Sequence, residues 1–147
     1  MKQAGENSNS LKMVFRNRPE NEKIVRTTAA AFASVLDPTL EEISDIKTAV
    51  SEAVTNCIVH GYEGREGKIS LKCELNDNEL TIEVHDDGVG IDDIERAMEP
   101  MYTSKPQLER SGMGFSFMEA FMDELHVKSG KHSGTTVMMK KKIGVNN

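Results

Sequence analysis

"VSEAVTNCIVHGY", residues 50–62, is the stretch on which the fold turns. With the residues just before it, its apolar positions recur at helical spacing. At about 100° per residue, Ile43, Ile46, Val50, Ala53, Val54 and Cys57 gather in one arc, the stripe of a helix lying on a core. Glu52 and Asn56 fall roughly opposite, with His60 at the shoulder, so a carboxylate, an amide and an imidazole stack at i, i+4 and i+8. A solvated outer face is the plain explanation, and two features count against it. A surface face in a chain with 29% charged residues normally carries Lys/Glu pairs one turn apart, whereas Thr48, Glu52, Thr55, Asn56 and Val59 are short, neutral or have no lysine one turn away. Asn and Thr are also mediocre helix formers, tolerated where the side chain has another task. A carboxylate and an amide one turn apart offer oxygens on one line. That suits a hard cation such as Mg²⁺, which completes its shell with phosphates and water.

Outward from this helix the chain punctuates itself. "LKMVFRN" (11–17) alternates as a first strand, and "PENEKIVRTTAAAFASVL" (19–36) follows with Ile24, Thr28, Ala31, Phe32 and Val35 at helical spacing. Asp37-Pro38 breaks that helix, and Thr39 or Asp37 caps the next, which runs to about His60 and stops at Gly61. "GKISLKCELN" and "ELTIEVHDD" alternate around "NDN" as a hairpin. Residues 87–114 form a long loop with two prolines and four glycines, helical only in its middle. "FSFMEAFMDEL" (115–125) reads as a helix, and "HVKSG" and "GTTVMMKKKI" as a second hairpin around "KHS". The order β-α-α-β-β-loop-α-β-β predicts an α+β two-layer sandwich, with helices on one face of a mixed sheet. A single domain over 11–147 is expected behind a polar, disordered head at 1–10.

A net charge of −6 counts against duplex DNA as a direct partner, and a bound polyanion would need local cations or a metal. The first ten residues carry no secretory h-region and the apolar run "AAAFASVL" is too short for a bilayer, so a cytoplasmic protein is expected. Cys57 and Cys73 have no C-x-x-C partner and no histidine close by, and read as structural rather than as zinc ligands or a disulfide.

Three glycine-marked pieces remain. Asp86-x-Gly88-x-Gly90 is too short for the dinucleotide fingerprint, and no spacing makes a Walker-A loop. Two glycines around one residue let a planar ligand approach, and Asp86 would offer a carboxylate to an exocyclic amine, although a plain Asp-Gly turn has the same pattern. In "ERSGMGFSFM" (109–118), Gly112 and Gly114 precede a helix whose first N–H groups can meet phosphate, with Arg110 and Lys105 as nearby cations. In "SGTTV" (133–137), Thr135 opens a strand.

Taken in order, E-x-x-x-N on a helix, D-x-G-x-G after a strand, a G-x-G helix start and G-T on the closing strand resemble the GHKL ATP-binding family of gyrase, chaperone, histidine-kinase and mismatch-repair ATPases. The resemblance covers nearly the whole chain beyond residue 10. Within it, "VSEAVTN", "TSKPQLERSGMGF" and "MEAFMDEL" look closest to the sporulation anti-sigma-F family, and "KPQLERSGMGF" is the most specific phrase. The resemblance implies an ATP-dependent protein-serine kinase, a homodimer, that holds sigma factor F and phosphorylates a serine of a small anti-anti-sigma protein. It implies Glu52 as general base, Asn56 as the Mg²⁺ ligand, Asp86 with Thr135 on the adenine amine, and Gly88, Gly90 and Ile91 along the base. His60 would line the pocket, and residues 92–111 would form a lid over ATP. Thr103, Lys105, Arg110, Ser111, Gly112, Met113, Gly114 and Phe115 would surround the phosphates, and Arg26 would contact protein partners. A stress-response switch kinase with other partners, or a nucleotide-gated binding module without phosphotransfer, are the alternatives.

Overall fold

The computed structural model describes residues 8–91, 114–130 and 133–144. Within them the chain runs β1 (Asn9–Arg16), α1 (Glu20–Ala33), a 3-10 turn (Ser34–Leu36), α2 (Leu40–Asn56), a π-helical turn (Cys57–Gly61), β2 (Lys68–Asn76), β3 (Glu79–Asp86), α3 (Gly114–Phe121), β4 (Glu124–Ser129) and β5 (Thr135–Lys142). The helices cover one face of a five-stranded sheet of order β1-β2-β3-β5-β4, the two-layer α+β sandwich expected.

The sheet is antiparallel at every pairing, not mixed. Connectivity explains the correction. Two helices separate β1 from β2, so the chain returns reversed. The crossover from β3 through α3 to β4 carries the chain past one strand's width, and β5 fills that gap antiparallel to both. Period-two alternation in β2 and β3 sends Ile69, Leu71, Cys73, Leu75, Leu80, Ile82 and Val84 into the core. Their tight turn sets Asn76 opposite Glu79, with Asp77 at φ 57°.

In α2 the expected stripe is right in substance. Ile46, Val50, Ala53, Val54 and Cys57 are buried, joined by Ala49, while Ile43 is only half-buried. In α1 the expected stripe is rotated. Val25, Ala29 and Ala33 are the buried line, and Ile24 and Val35 stand 61% and 64% exposed. Small residues at i, i+4 and i+8 let this helix approach closely, which the larger Ile24 and Val35 would prevent. Two boundaries also move. The α-geometry of α2 ends at Asn56, and the π turn carries the chain on to Gly61, so His60 leaves the line of Glu52 and Asn56. α3 ends at Phe121, because Glu124 and Leu125 are already paired with β5. Among the described residues no helix is long and apolar enough to cross a membrane.

A full capping box starts α2. Thr39 Oγ1 accepts the N–H of Glu42 at 3.0 Å, and Glu42 Oε1 accepts the N–H of Thr39 at 2.8 Å. The Thr39 N–H, opposed by slight burial and helped by the Gly144 N–H, holds the Glu42 carboxyl below its usual range. Thr39→Ala should therefore cost about 1 kcal/mol in urea unfolding. A carboxyl depressed in the folded state stabilises above its unfolded pKa and loses that contribution as pH falls through the folded value. The stability gap between wild type and Glu42→Ala should accordingly close on acidification, read by denaturation midpoints from pH 7 down to pH 3.

Candidate functional site

The helical layer ends where the sheet's exit loop begins, and the predicted residues meet along that seam. Glu52 and Asn56 are half-buried on α2 and face the start of α3. A Cβ at Gly114 would lie 3.0 Å from Asn56 Nδ2, 3.3 Å from its Oδ1 and 3.4 Å from Glu52 Oε2. Glycine at this position thus leaves a space between two oxygen-bearing side chains and the N-terminus of a helix, whose first N–H groups have no intrahelical partner. Among the described residues no cluster of three or more His, Cys, Asp or Glu could hold a metal. Glu52 and Asn56 fit instead the mode in which Mg²⁺ takes one or two protein oxygens and shares the rest of its shell with phosphate.

One residue further on, α2 turns to the sheet. Asp86, at the end of β3, is 2% exposed, and burying such a group demands hydrogen bonds. Its Oδ1 accepts the N–H of Gly88 at 2.9 Å, and the buried Cys57 thiol donates to the same carboxyl. A Cβ on Gly61 would lie 3.1 Å from the carboxyl carbon and from Oδ2, so glycine is what lets the helix end sit on Asp86. The carbonyl of Gly61 accepts the N–H of Val89 at 2.7 Å, and a Cβ on Gly88 would overlap that carbonyl. Thr135, 8% exposed, stands directly opposite Asp86 in the β3–β5 register. Gly90, at φ 81°, packs against the carbonyl of Gly130 in a conformation L side chains rarely adopt.

The structure therefore brings Glu52, Asn56 and Gly114 together, and Asp86, Gly88, Gly90 and Thr135 together, joined through Cys57 and Gly61. His60 lies half-buried in the π turn beside Gly61, and Ile91 is half-buried against the core. Phe115 is buried in the core, which leaves its backbone rather than its ring to a ligand. Thr103, Lys105, Arg110, Ser111, Gly112, Met113 and the lid at 92–111 lie outside the described residues, as does most of the head at 1–10. Arg26 lies half-buried on α1. With α2 it borders an open groove of about 620 Å³ whose lining also includes Ile43, Lys47, Thr48 and Glu52. Its Nε stands 3.2 Å from Glu22 Oε2, an ion pair without the alignment of a hydrogen bond.

Sequence reasoning missed two supports. The Tyr62 hydroxyl accepts the N–H of Asp87 at 2.9 Å and donates to the Lys68 carbonyl, tying the end of the π turn to the exit loop and to β2. Burial pushes this phenol above its usual range. Its position directly after Gly61 was the available signal. Ser129, at the end of β4, contacts Ile91, Gly134 and Thr135, and nothing in the strand pattern marks it.

A family described as the histidine kinase-like ATPase domain matches residues 15–141. The chain is 57% identical to the anti-sigma F factor of Clostridium acetobutylicum over 137 residues, 93% of this chain and 96% of that protein. It is 55% identical to the anti-sigma F factor of Thermoanaerobacter pseudethanolicus over 139 residues, 95% of this chain and 97% of that one. Among solved structures, the RsbU and RsbW domains of Rv1364c from Mycobacterium tuberculosis superpose with a TM-score of 0.67 at 20% identity. The match covers 92% of this chain and 32% of that longer one, and is a likeness of fold.

Gly88→Ala should force the exit loop off Gly61, costing about 1–3 kcal/mol of stability. Equilibrium titration of the variant with nucleotide should show weakened binding. Thiol reactivity gives an independent check. Burial, reinforced by Asp86, raises the Cys57 pKa well above its usual value, and burial pushes Cys73 up to about 12. A thiolate-selective reagent at pH 8 should label neither cysteine of the native chain, and both after unfolding.

Proposed function

We propose, from the premise that this chain belongs to the histidine kinase-like ATPase domain family and within it to the anti-sigma F factors, that it is an ATP-dependent protein-serine kinase that also sequesters sigma factor F. The observation that carries the reading is the position of Glu52. Glu52 lines the groove it shares with Arg26, and its Oε2 lies beside the start of α3 next to Asn56. A general base must reach both the hydroxyl it deprotonates and the site of transfer, and this placement supports that role.

Bound ATP, with Mg²⁺, would supply the phosphoryl group. Asn56 holds the metal, and Asp86 with Thr135 takes the adenine amine, Gly88, Gly90 and Ile91 lie along the base, and His60 lines the pocket beside them. Glu52 accepts the proton of a serine hydroxyl presented by a small anti-anti-sigma protein, as the serine oxygen forms its bond to phosphorus and ADP leaves. The α3 start at Gly114 and Phe115 offers backbone N–H groups to phosphate. Residues 92–111 act as a lid, with Thr103, Lys105 and Arg110 supplying charge and hydroxyl and Ser111, Gly112 and Met113 supplying backbone donors. Phosphoryl transfer asks mainly for positioning and charge neutralisation, so this modest set is sufficient. Arg26, on the same groove, contacts the protein partners of a cytoplasmic homodimer.

The experiment is the intact mass of a purified anti-anti-sigma protein after incubation with this chain and Mg·ATP. Wild type should add one phosphate, and Glu52→Ala should add none while still binding ATP and the partner. Phosphorylation by Glu52→Ala at the wild-type rate would remove Glu52 as the base. Absence of phosphate with wild type, alongside ATP-dependent partner binding, would favour a nucleotide-gated binding module.

A further inference from the structure

Ser129 is half-buried and its hydroxyl has three partners. Oγ accepts the N–H of Ile91 at 2.6 Å, donates to the carbonyl of Gly134 at 2.9 Å, and lies 2.8 Å from Oγ1 of Thr135. A hydroxyl has a single proton. The Gly134 carbonyl can only accept and the Ile91 N–H can only donate, so the Ser129 proton is committed to Gly134. The contact with Thr135 is then a hydrogen bond only when Thr135 donates. Its own proton is spent on Ser129, and Thr135 turns nothing but lone pairs toward any other neighbour. Across the strand pair stands Asp86, which as a carboxylate has acceptors only. The buried wall formed by these two residues is therefore uniform in hydrogen-bonding sense.

We infer that Ser129 is a positioning residue that fixes Thr135 as an acceptor, and that the Asp86–Thr135 wall thereby selects a 6-aminopurine over a 6-oxopurine nucleotide. The inference rests on the nucleotide reading above and deepens it. An amino group brings protons to this wall. A carbonyl at the same position brings lone pairs to lone pairs, and a buried site made for a donor rejects a ligand that lacks one. With Ser129 intact, the Thr135 hydroxyl cannot rotate to rescue the wrong ligand without abandoning its own bond. Specificity thus depends on a residue that need not touch the base.

The test is equilibrium binding of ATP and of inosine triphosphate to the full chain, for wild type, Ser129→Ala, Ser129→Thr, Thr135→Val and the Ser129→Ala/Thr135→Val double variant. Wild type should prefer ATP. Ser129→Ala should shrink the ratio of the two Kd values by about tenfold, the scale of one net hydrogen bond. Ser129→Thr, which keeps the hydroxyl, should restore the ratio. Thr135→Val should shrink it similarly, and the double variant no further, because Ser129 acts through Thr135. If Ser129→Ala weakens both nucleotides alike and leaves the ratio intact, its role is structural and the inference falls. Should Ser129→Ala fail to fold, an unchanged ratio in Thr135→Val overturns the inference by itself. Equal binding of the two nucleotides by wild type sinks the inference and leaves the kinase reading standing, whereas binding of neither sinks both.

Discussion

One backbone hydrogen bond, from the N–H of Val89 to the carbonyl of Gly61, registers the helical layer against the sheet's exit loop. The apolar contacts between the layers are extensive but non-directional, and would tolerate small slides of one layer over the other. A carbonyl at a helix end has no intrahelical partner, so it takes a donor from outside, and here the donor is the loop after β3. The match is possible because neither surface carries a Cβ at the point of contact. Gly61 clears the Asp86 carboxyl and Gly88 clears the Gly61 carbonyl. With the two layers so registered, the buried Asp86 keeps its donors, Gly88 N–H and the Cys57 thiol, and the cost of burying a carboxyl group is offset.

α2 is the partition of the molecule. One of its edges looks into the groove toward Arg26, another toward the start of α3, and its last residues lead into the turn that meets the sheet. Glu52 belongs to the first two settings at once. The chain is acidic overall, and two of its carboxylates, Glu52 and Asp86, belong to the two groups of residues described above. The cations proposed for the phosphates, Lys105 and Arg110, come from the segment between Ile91 and Gly114.

Much of this arrangement was legible from residue types alone. The stripe of α2 carries branched Ile46, Val50 and Val54 at helical spacing, so its periodicity identified the buried face almost residue for residue. The stripe of α1 is alanine-rich, and spacing favoured the larger Ile24 and Val35 over Ala29 and Ala33, which the close approach of helix to core requires. Strand direction was misjudged because alternation reports which side of a sheet a residue faces and says nothing of its neighbour's sense. The π turn was hidden because an i→i+5 winding has no composition of its own. Ser129 was invisible for a different reason. Its importance lies in a proton count over Ile91, Gly134 and Thr135, residues scattered over 45 positions and assembled only by the fold.

The placement of β5 between β3 and β4 also sets the order of events during synthesis. β3 and β4 both emerge from the ribosome before the strand that separates them, so the middle of the sheet is the last part to be filled. A nascent chain that has reached β4 owns Glu52, Asn56 and Asp86 but has an open seam where Thr135 belongs, with the ladder edge of β3 exposed to solvent and to other unfinished chains. Closing that seam pairs residues far apart in sequence, the slow kind of contact in folding. The pairing of Asp86 with Thr135 across the β3–β5 ladder is therefore a mark of a chain that has grown past residue 135, one that no product ending earlier can display.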